Sequence, residues 1–263
     1  MWLTLLFFPI VAMMWGQAAE PAPAAHENLN AVNWVQTAAE YRASALQTYR
    51  GAERALLRAL SNTTWTAALE QSRPAPGLPP AVILDLDETV LDNSAYQARM
   101  TAAATQFSDS TWQQWVAEKR AGLVPGARDF LLLAHSHGVA PVYITNRVCE
   151  PNKPDDPTVA VLRVHHLPFS PERLLCKTGT SDKADRRYRA AAGYRILLLI
   201  GDDLNDFISI PQESNIVEAR MLAADTYGRF WGERWFLLPN PAYGSWERAV
   251  GSGIGAKRKA LRQ

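Results

Sequence analysis

Val82-Ile83-Leu84-Asp85-Leu86-Asp87-Glu88-Thr89-Val90-Leu91 is the stretch whose reading decides the fold. Its first residues are apolar without alternation, as in a short strand buried on both faces of a parallel sheet. Pro79-Pro80 cannot extend a central strand, so the strand starts there. The run then turns acidic. Asp85 and Asp87 lie two residues apart, and in an extended segment that spacing points both side chains the same way. Two carboxylates at the end of a buried strand repel each other and need a proton or a cation. The bland reading, a solvated acidic turn, does not account for the apolar run that leads into it. Open α/β sheets also hold their ligands at the carboxyl ends of their strands.

Outward from this stretch, strand and helix alternate to the end of the chain. Val139–Ile144 reads as a second strand, Arg173–Cys176 as a third, Arg195–Ile200 as a fourth and Trp235–Leu238 as a fifth. Helices are expected over Gly126–His137, Thr158–His166 and Ser181–Ala192, and a mainly helical insertion over residues 94–124. The pattern predicts an α/β fold: a doubly wound, mostly parallel sheet with helices on both faces and a helical accessory region.

Before the first strand, Val35, Ala38, Tyr41, Ala45, Tyr49, Ala52, Leu56 and Leu60 recur at helical spacing. They predict one long helix or two, with Gly51 as the expected break. The aromatic stripe of Trp34, Tyr41 and Tyr49 reads as core or subunit contact. Arg73–Pro80, with four prolines and a glycine, is a linker. The organisation expected is a leader over 1–19, an N-terminal helical region and linker over 20–80, an α/β core over 81–250 with the helical insertion at 94–124, and a basic, solvated tail over 251–263.

Apolar residues make up 48% of the 263, so a sizeable core is affordable and wholesale disorder is excluded. A net charge of +1 argues against a protein that coats a nucleic-acid polymer. Met1–Met14 is apolar and short for a membrane span, and Gly16-Gln17-Ala18-Ala19 is the kind of site a signal peptidase reads. Its departure from a signal peptide is the absence of Lys or Arg at the start. The expected location is the periplasm or the exterior, with no stable membrane anchor after cleavage. The two cysteines, Cys149 and Cys176, each follow a predicted strand, and in an exported protein they are either a disulfide or two inert thiols. His135/His137 and His165/His166 have spacings that do not pair on a helix face and read as surface or structural residues.

Four strand ends bring polar residues to one edge. They supply Asp85 and Asp87, then Thr145 and Asn146, then Lys183, then Asp202 and Asp206. Asp85, Asp202 and Asp206 are hard oxygen donors suited to Mg²⁺, and no His or Cys among them points to zinc. Lys183 and the Thr145 hydroxyl, with such an ion, would hold a phosphoryl group. Of the neighbouring acids, one would attack phosphorus and the other handle protons. Asn146 and Arg147 either touch phosphate or brace their loop.

Asp85-Leu86-Asp87-Glu88-Thr89, Thr145, Lys183 and Gly201-Asp202-Asp203-Leu204-Asn205-Asp206 resemble, in order, the four motifs of the haloacid dehalogenase superfamily. Ile83–Tyr96 and Leu199–Phe207 resemble the two signatures of its bacterial class C acid phosphatases, the group that includes the lipoprotein e nucleotidases. Asn33–Gln36, Ala39–Arg42, Trp112–Val116, Val124–Gly126 and Leu238–Trp246 are similar to that family too. The resemblance spans about residues 28–250.

It implies a haloacid dehalogenase-like fold and an acid phosphatase acting on phosphomonoesters, nucleoside monophosphates among them. Asp85 would be the nucleophile, forming an aspartyl-phosphate, and Asp87 the general acid and base. Mg²⁺ would be held by Asp85, the backbone carbonyl of Asp87, Asp202 and Asp206. Thr145 and Lys183 would bind phosphoryl oxygens, Asn146 would stand beside them, and Trp112 and Tyr243 would sandwich a substrate ring. It also implies an acidic optimum and a homodimer through the N-terminal helices.

Two departures stand out. The family usually has Asn or Thr in place of Asp203, so an altered metal affinity is expected there. No Cys follows the leader, so lipidation is not carried over. The alternatives are a phosphotransferase on the same scaffold and a non-catalytic storage or adhesion protein that kept the fold.

Overall fold

The structure is a computed structural model that describes residues 26–211, 215–251 and 253–262. The expected leader lies outside the described residues. No described helix is long and apolar enough to cross a membrane.

Two helices come first, α1 (Leu29–Thr37) and α2 (Ala39–Ser61). They break at Ala38, whose backbone is extended (φ −78°, ψ 128°), and not at Gly51. Gly51 lies inside α2 for a packing reason: a Cβ there would come within 3.2 Å of the Phe236 ring. Periodicity marks the apolar face of a helix, but the close approach that requires a glycine is a tertiary fact. Tyr41 and Tyr49 are buried core residues.

The chain then enters β1 (Pro80–Leu84), turns through Asp87–Leu91 and forms a two-residue strand, β2 (Leu91–Asp92). The expected insertion contains α3 (Ser94–Ala102) and α4 (Asp109–Glu118), and ends in β3 (Gly122–Leu123). β2 and β3 pair antiparallel, a miniature sheet too short to be seen in sequence. There follow α5 (Ala127–Ser136), β4 (Ala140–Ile144), α6 (Pro157–Val164), β5 (Leu174–Leu175), α7 (Ala184–Gly193) and β6 (Arg195–Gly201). Asp156 and Pro157 start α6: the Asp156 Oδ1 accepts from the backbone N of Thr158 (2.8 Å) and Val159 (3.1 Å). The last elements are α8 (Val217–Thr226), β7 (Trp235–Leu237), α9 (Ser245–Val250) and α10 (Gly253–Lys259).

The five long-range strands form one parallel sheet in the order β5-β4-β1-β6-β7. From β1 the chain winds outward through β4 and β5, then crosses back to β6 and β7. The winding reverses between β1 and β6, which is where a doubly wound sheet opens a crevice at its carboxyl edge. Alternation along the strands divides the core in two. Val82 and Leu84 face α2 and α5 with Tyr49, Leu56 and Phe130, whereas Ala81 and Ile83 face α7 with Ala190 and Phe207. Burial on both faces is why these strands read as apolar runs.

Cys149, beyond β4, and Cys176, beyond β5, form a disulfide with Cα atoms 5.7 Å apart. The basic tail is less solvated than expected. Residues 253–259 are helical, and Lys257 Nζ reaches Glu247 Oε1 (2.5 Å) and Glu27 Oε2 (3.1 Å).

Candidate active site

Backbone hydrogen bonds carry the sheet one residue past β1, since Asp85 N donates to Ile200 O (3.0 Å). Asp85 therefore sits level with the last residues of β6, and the turn after β6 brings Asp202 and Asp206 beside it. One carboxylate oxygen from each of Asp85, Asp202 and Asp206 lies within 4.8 Å of the others. The Leu204–Asp206 turn is a single 3₁₀ turn closed by its own acids. Asp206 Oδ2 accepts from the backbone N of Asp202 (3.1 Å) and Asp203 (3.0 Å). Gly201 makes room for this, because a Cβ there would collide with the Asp206 carboxylate.

Lys183 precedes α7 and reaches into the cluster. Its buried Nζ donates to Asp85 Oδ1 and, at 2.6 Å, to Asp206 Oδ1. Burial pushes the Asp85 carboxyl up to about 7, although Lys183 opposes the shift, and Asp206 and Asp87 add to it. Burial, then Asp206 and Asp85, push Asp202 well above the usual carboxylate range. Burial alone would lower the Lys183 ammonium, but Asp206 and Asp85 hold it above its ordinary value. Three acids, Asp85 and Asp206 buried and Asp202 partly so, outnumber the one ammonium. A hard divalent cation fits this donor set of oxygens alone, and the carboxylates are close enough to share one.

Asp87 occupies a different environment. Arg147 Nη2 and Nε donate to Asp87 Oδ1 at 2.7 and 2.9 Å, and Nε also to Oδ2 at 3.1 Å. Asn93 Nδ2 donates to Asp87 Oδ1 at 2.9 Å, and the Asn93 Oδ1 accepts from Trp115 Nε1 at 2.8 Å. The Arg147 guanidinium lies 5.5 Å from the Trp112 ring centre. Trp112 is thus one residue removed from Asp87. Glu88 holds the turn with φ +60°, and its Oε1 accepts from Asn93 N (2.9 Å). Burial and Asp87 raise the Glu88 carboxyl well above its usual value.

Thr145 is fully buried at the end of β4. Its hydroxyl oxygen accepts from Arg147 N (3.0 Å), which leaves its O–H to donate. Asn146 is exposed, and its Oδ1 accepts from Arg186 Nη2 (2.8 Å). That carboxamide oxygen braces its loop. On the far side, Asn240 Nδ2 donates to Asp202 Oδ2 (2.9 Å), and Asn240 Oδ1 accepts from Ala242 N (3.0 Å) and Tyr243 N (3.4 Å). Tyr243 is therefore tied to Asp202 through one side chain.

A buried acid cluster with its own lysine, at the switch point of a five-stranded parallel sheet, is an arrangement that known proteins share. The profile of the HAD superfamily, subfamily IIIB (acid phosphatase), matches residues 12–246. The chain belongs to this family. The class C acid phosphatase from Bacillus anthracis superposes with a TM-score of 0.78 at 30% identity, over 90% of this chain and 97% of that one. The same enzyme with tungstate bound matches equally well. This chain is accordingly a phosphomonoesterase of the acid phosphatase type, with a small phosphate ester as substrate.

The structure of this phosphatase brings together Asp85, Asp87, Thr145, Lys183, Asp202 and Asp206 at one sheet edge. Trp112 and Tyr243 border that edge from opposite sides. Asp203 does not join the acid cluster; its carboxylate faces Ser245. Sequence reasoning missed Asn93, Arg186, Arg187 and Asn240. Arg187 is buried behind the β6 turn, donating to Asn205 O (3.0 Å), Asp206 O (3.3 Å) and Glu70 Oε1 (2.7 Å). A signal existed for two of these. Lys183, Arg186 and Arg187 are spaced i, i+3, i+4, which puts three cations on one helix face. Asn93 and Asn240 had none, because a lone Asn in a loop says nothing of what it bonds.

Proposed function

We propose that this phosphatase is Mg²⁺-dependent, that it hydrolyses nucleoside monophosphates through an aspartyl-phosphate on Asp85, and that it works outside the cytoplasm. One observation carries the reading: the Lys183 ammonium bridges Asp85 and Asp206 while Asp202 lies within reach of both. Mg²⁺ would be held by Asp85, Asp202, Asp206 and the backbone carbonyl of Asp87, and when bound it offsets the charge of the acids and of the phosphoryl group.

The chain's own residues do the rest. Lys183 and the free Thr145 O–H bind the phosphoryl oxygens and orient phosphorus toward Asp85. An Asp85 oxygen attacks phosphorus as the bond to the ester oxygen breaks. Asp87, aimed by Arg147 and Asn93, gives its proton to that leaving oxygen. Asp87 then takes a proton from water, the water oxygen attacks phosphorus, and the Asp85–phosphorus bond breaks to return the free carboxylate and phosphate.

Trp112 and Tyr243 favour a leaving group with a flat ring, since stacking on aromatic faces tolerates any base. The apolar leader and the disulfide favour an oxidising compartment, where such bridges persist.

The test is phosphate release from nucleoside monophosphates, an aryl phosphate and glycerol 2-phosphate, with Mg²⁺ and with EDTA. Release that needs Mg²⁺ and prefers the nucleotides is expected. Full activity in EDTA would end the metal reading. Transfer to an added alcohol in preference to water would favour a phosphotransferase. Mass spectrometry of trapped enzyme should place the phosphoryl group on the peptide containing Asp85.

A further inference from the structure

Asp202 and Asp203 are adjacent at the end of β6, and their carboxylates face different ways. That of Asp202 lies in the acid cluster. That of Asp203 turns to the chain that carries Tyr243. Its Oδ2 accepts from Ser245 N (2.5 Å), and its Oδ1 accepts from the Ser245 hydroxyl and from Asn205 N (2.9 Å). Ser245 is buried, and its hydroxyl also accepts from Arg220 Nη1 (2.5 Å). The approach depends on Gly244, whose φ is +153° and where a Cβ would lie 2.8 Å from Asp203 Oδ2. From the other direction Asn240 links Asp202 to the backbone of Ala242 and Tyr243. The segment 240–245 therefore hangs from two neighbouring acids, with Tyr243 between the two attachments.

We infer that Asp203 is a positioning residue that fixes the Tyr243 ring against the leaving group and so sets selectivity for ring-bearing phosphate esters. The inference rests on the proposed role of Tyr243. The chemistry calls for a carboxylate. Two donors on Ser245 and one on Asn205 point at residue 203, and a carboxylate has acceptor capacity for all three. An amide has one acceptor oxygen, and its NH₂ would face a donor. Held by charge-assisted bonds, the loop gives up its ordering entropy before substrate arrives, and the ring meets the ester already placed.

The test measures KM for adenosine 5′-phosphate divided by KM for glycerol 2-phosphate, in Asp203→Ala, Asp203→Asn, Tyr243→Ala and the double variant Asp203→Ala/Tyr243→Ala. Loss of one stacking face is expected to raise this ratio about tenfold in Tyr243→Ala and Asp203→Ala. Asp203→Asn should fall between them and the parent. The double variant should match the single ones, because both act through the same ring. The half-saturating Mg²⁺ concentration should not move in Asp203→Ala, and the Kd of adenosine 5′-phosphate for the metal-free protein, read by tryptophan fluorescence, should rise with the ratio.

If Tyr243→Ala raises the ratio and Asp203→Ala does not, the inference is overturned and the reading of Tyr243 survives. If Tyr243→Ala leaves the ratio unchanged, both fall. Additive effects in the double variant, or a shifted Mg²⁺ requirement, would also overturn it. Should Asp203→Ala fail to fold by circular dichroism, Ser245→Ala removes one of the same bonds and is held to the same outcomes.

Discussion

The floor and the rim of the proposed active site are built by different means. On the floor, Asp85, Thr145, Asp202 and Asp206 stand at or just beyond the ends of three neighbouring parallel strands. Backbone register places them, and their neighbours along the strand are apolar core. At the rim, Trp112 lies on an insertion helix and Tyr243 on a loop after the last strand. Each is connected to the acids by polar side chains, Trp112 by Arg147, and Tyr243 by Asn240 on one side and by the Ser245–Asp203 bonds on the other. The floor is thus determined by the sheet, and the rim by a few side-chain contacts that tie it to the floor.

The harshest way to break that comparison is on the floor. Asp85→Asn keeps the shape and removes the proposed nucleophile, and kcat is expected to fall about 10⁴-fold or more in a phosphate-release assay. Residual turnover near the parent's would remove Asp85 from the nucleophile's role. The melting temperature should hold or rise, because the substitution also removes a buried charge from a crowded cluster.

Arg147 joins floor to rim, so its replacement sharpens the distinction. Arg147→Met leaves the Asp87 carboxylate without its paired donors and Trp112 without its cationic neighbour. The loss in kcat is expected to be about 10²-fold for an alkyl phosphate, whose leaving oxygen needs a proton, and smaller for an aryl phosphate, whose leaving group does not. Equal losses on both esters would mean that Arg147 acts on something other than the acid. Stability should drop by about 3 kcal/mol by urea titration, since a largely buried partner loses its counter-charge.

This difference also explains what was legible in the sequence. The five strands and the order of the acids could be read because burial on both faces writes a continuous apolar run and each acid follows one. Lys183 could be read because it falls at the right place in that order. The break at Ala38 could not, because a single extended alanine carries no turn chemistry of its own. Asn93 and Asn240 could not, because their partners lie 6 and 38 residues away respectively, and only the folded chain introduces them. The partner of Asp203 was hidden for a different reason. It directly follows the acid Asp202, and only the geometry shows that its carboxylate bonds Ser245, 42 residues on.

A milder perturbation acts beside the floor. The disulfide closes the segment between β4 and β5, which runs from just beyond Thr145 and Arg147 to just before Lys183. Cys149→Ser/Cys176→Ser should lower stability by about 2 kcal/mol, read as a shifted urea midpoint, because the bridge restricts the unfolded chain. Thr145 and Arg147 remain pinned by Leu175 O and Lys177 N. Activity of the folded fraction should therefore fall less than twofold, about 0.4 kcal/mol on the barrier. A larger loss would show that the bridge itself shapes the floor.

A change of pH tests whether the floor is built for a cation at all. Burial holds Asp85 up to about 7 against an ordinary 3.8, and Asp202 is raised as well. Between those values the folded chain keeps protons that the unfolded chain releases. In EDTA, stability should therefore fall as pH rises from 5 to 7. Lys183, raised above its ordinary 10.5, contributes a constant amount over this window. Glu118, Glu172 and Asp182, lowered from 4.5, 4.5 and 3.8, have finished titrating below it. A bound Mg²⁺ favours the charged carboxylates and reverses the trend, so the rise in melting temperature on adding it should be larger at pH 7 than at pH 5. At a hundredfold excess over Kd the ion adds about 2.7 kcal/mol, several degrees for a chain of this length. A melting temperature in EDTA that climbs from pH 5 to 7 would mean that Lys183 already neutralises the cluster, and the floor would then be an ion pair rather than a seat for an ion.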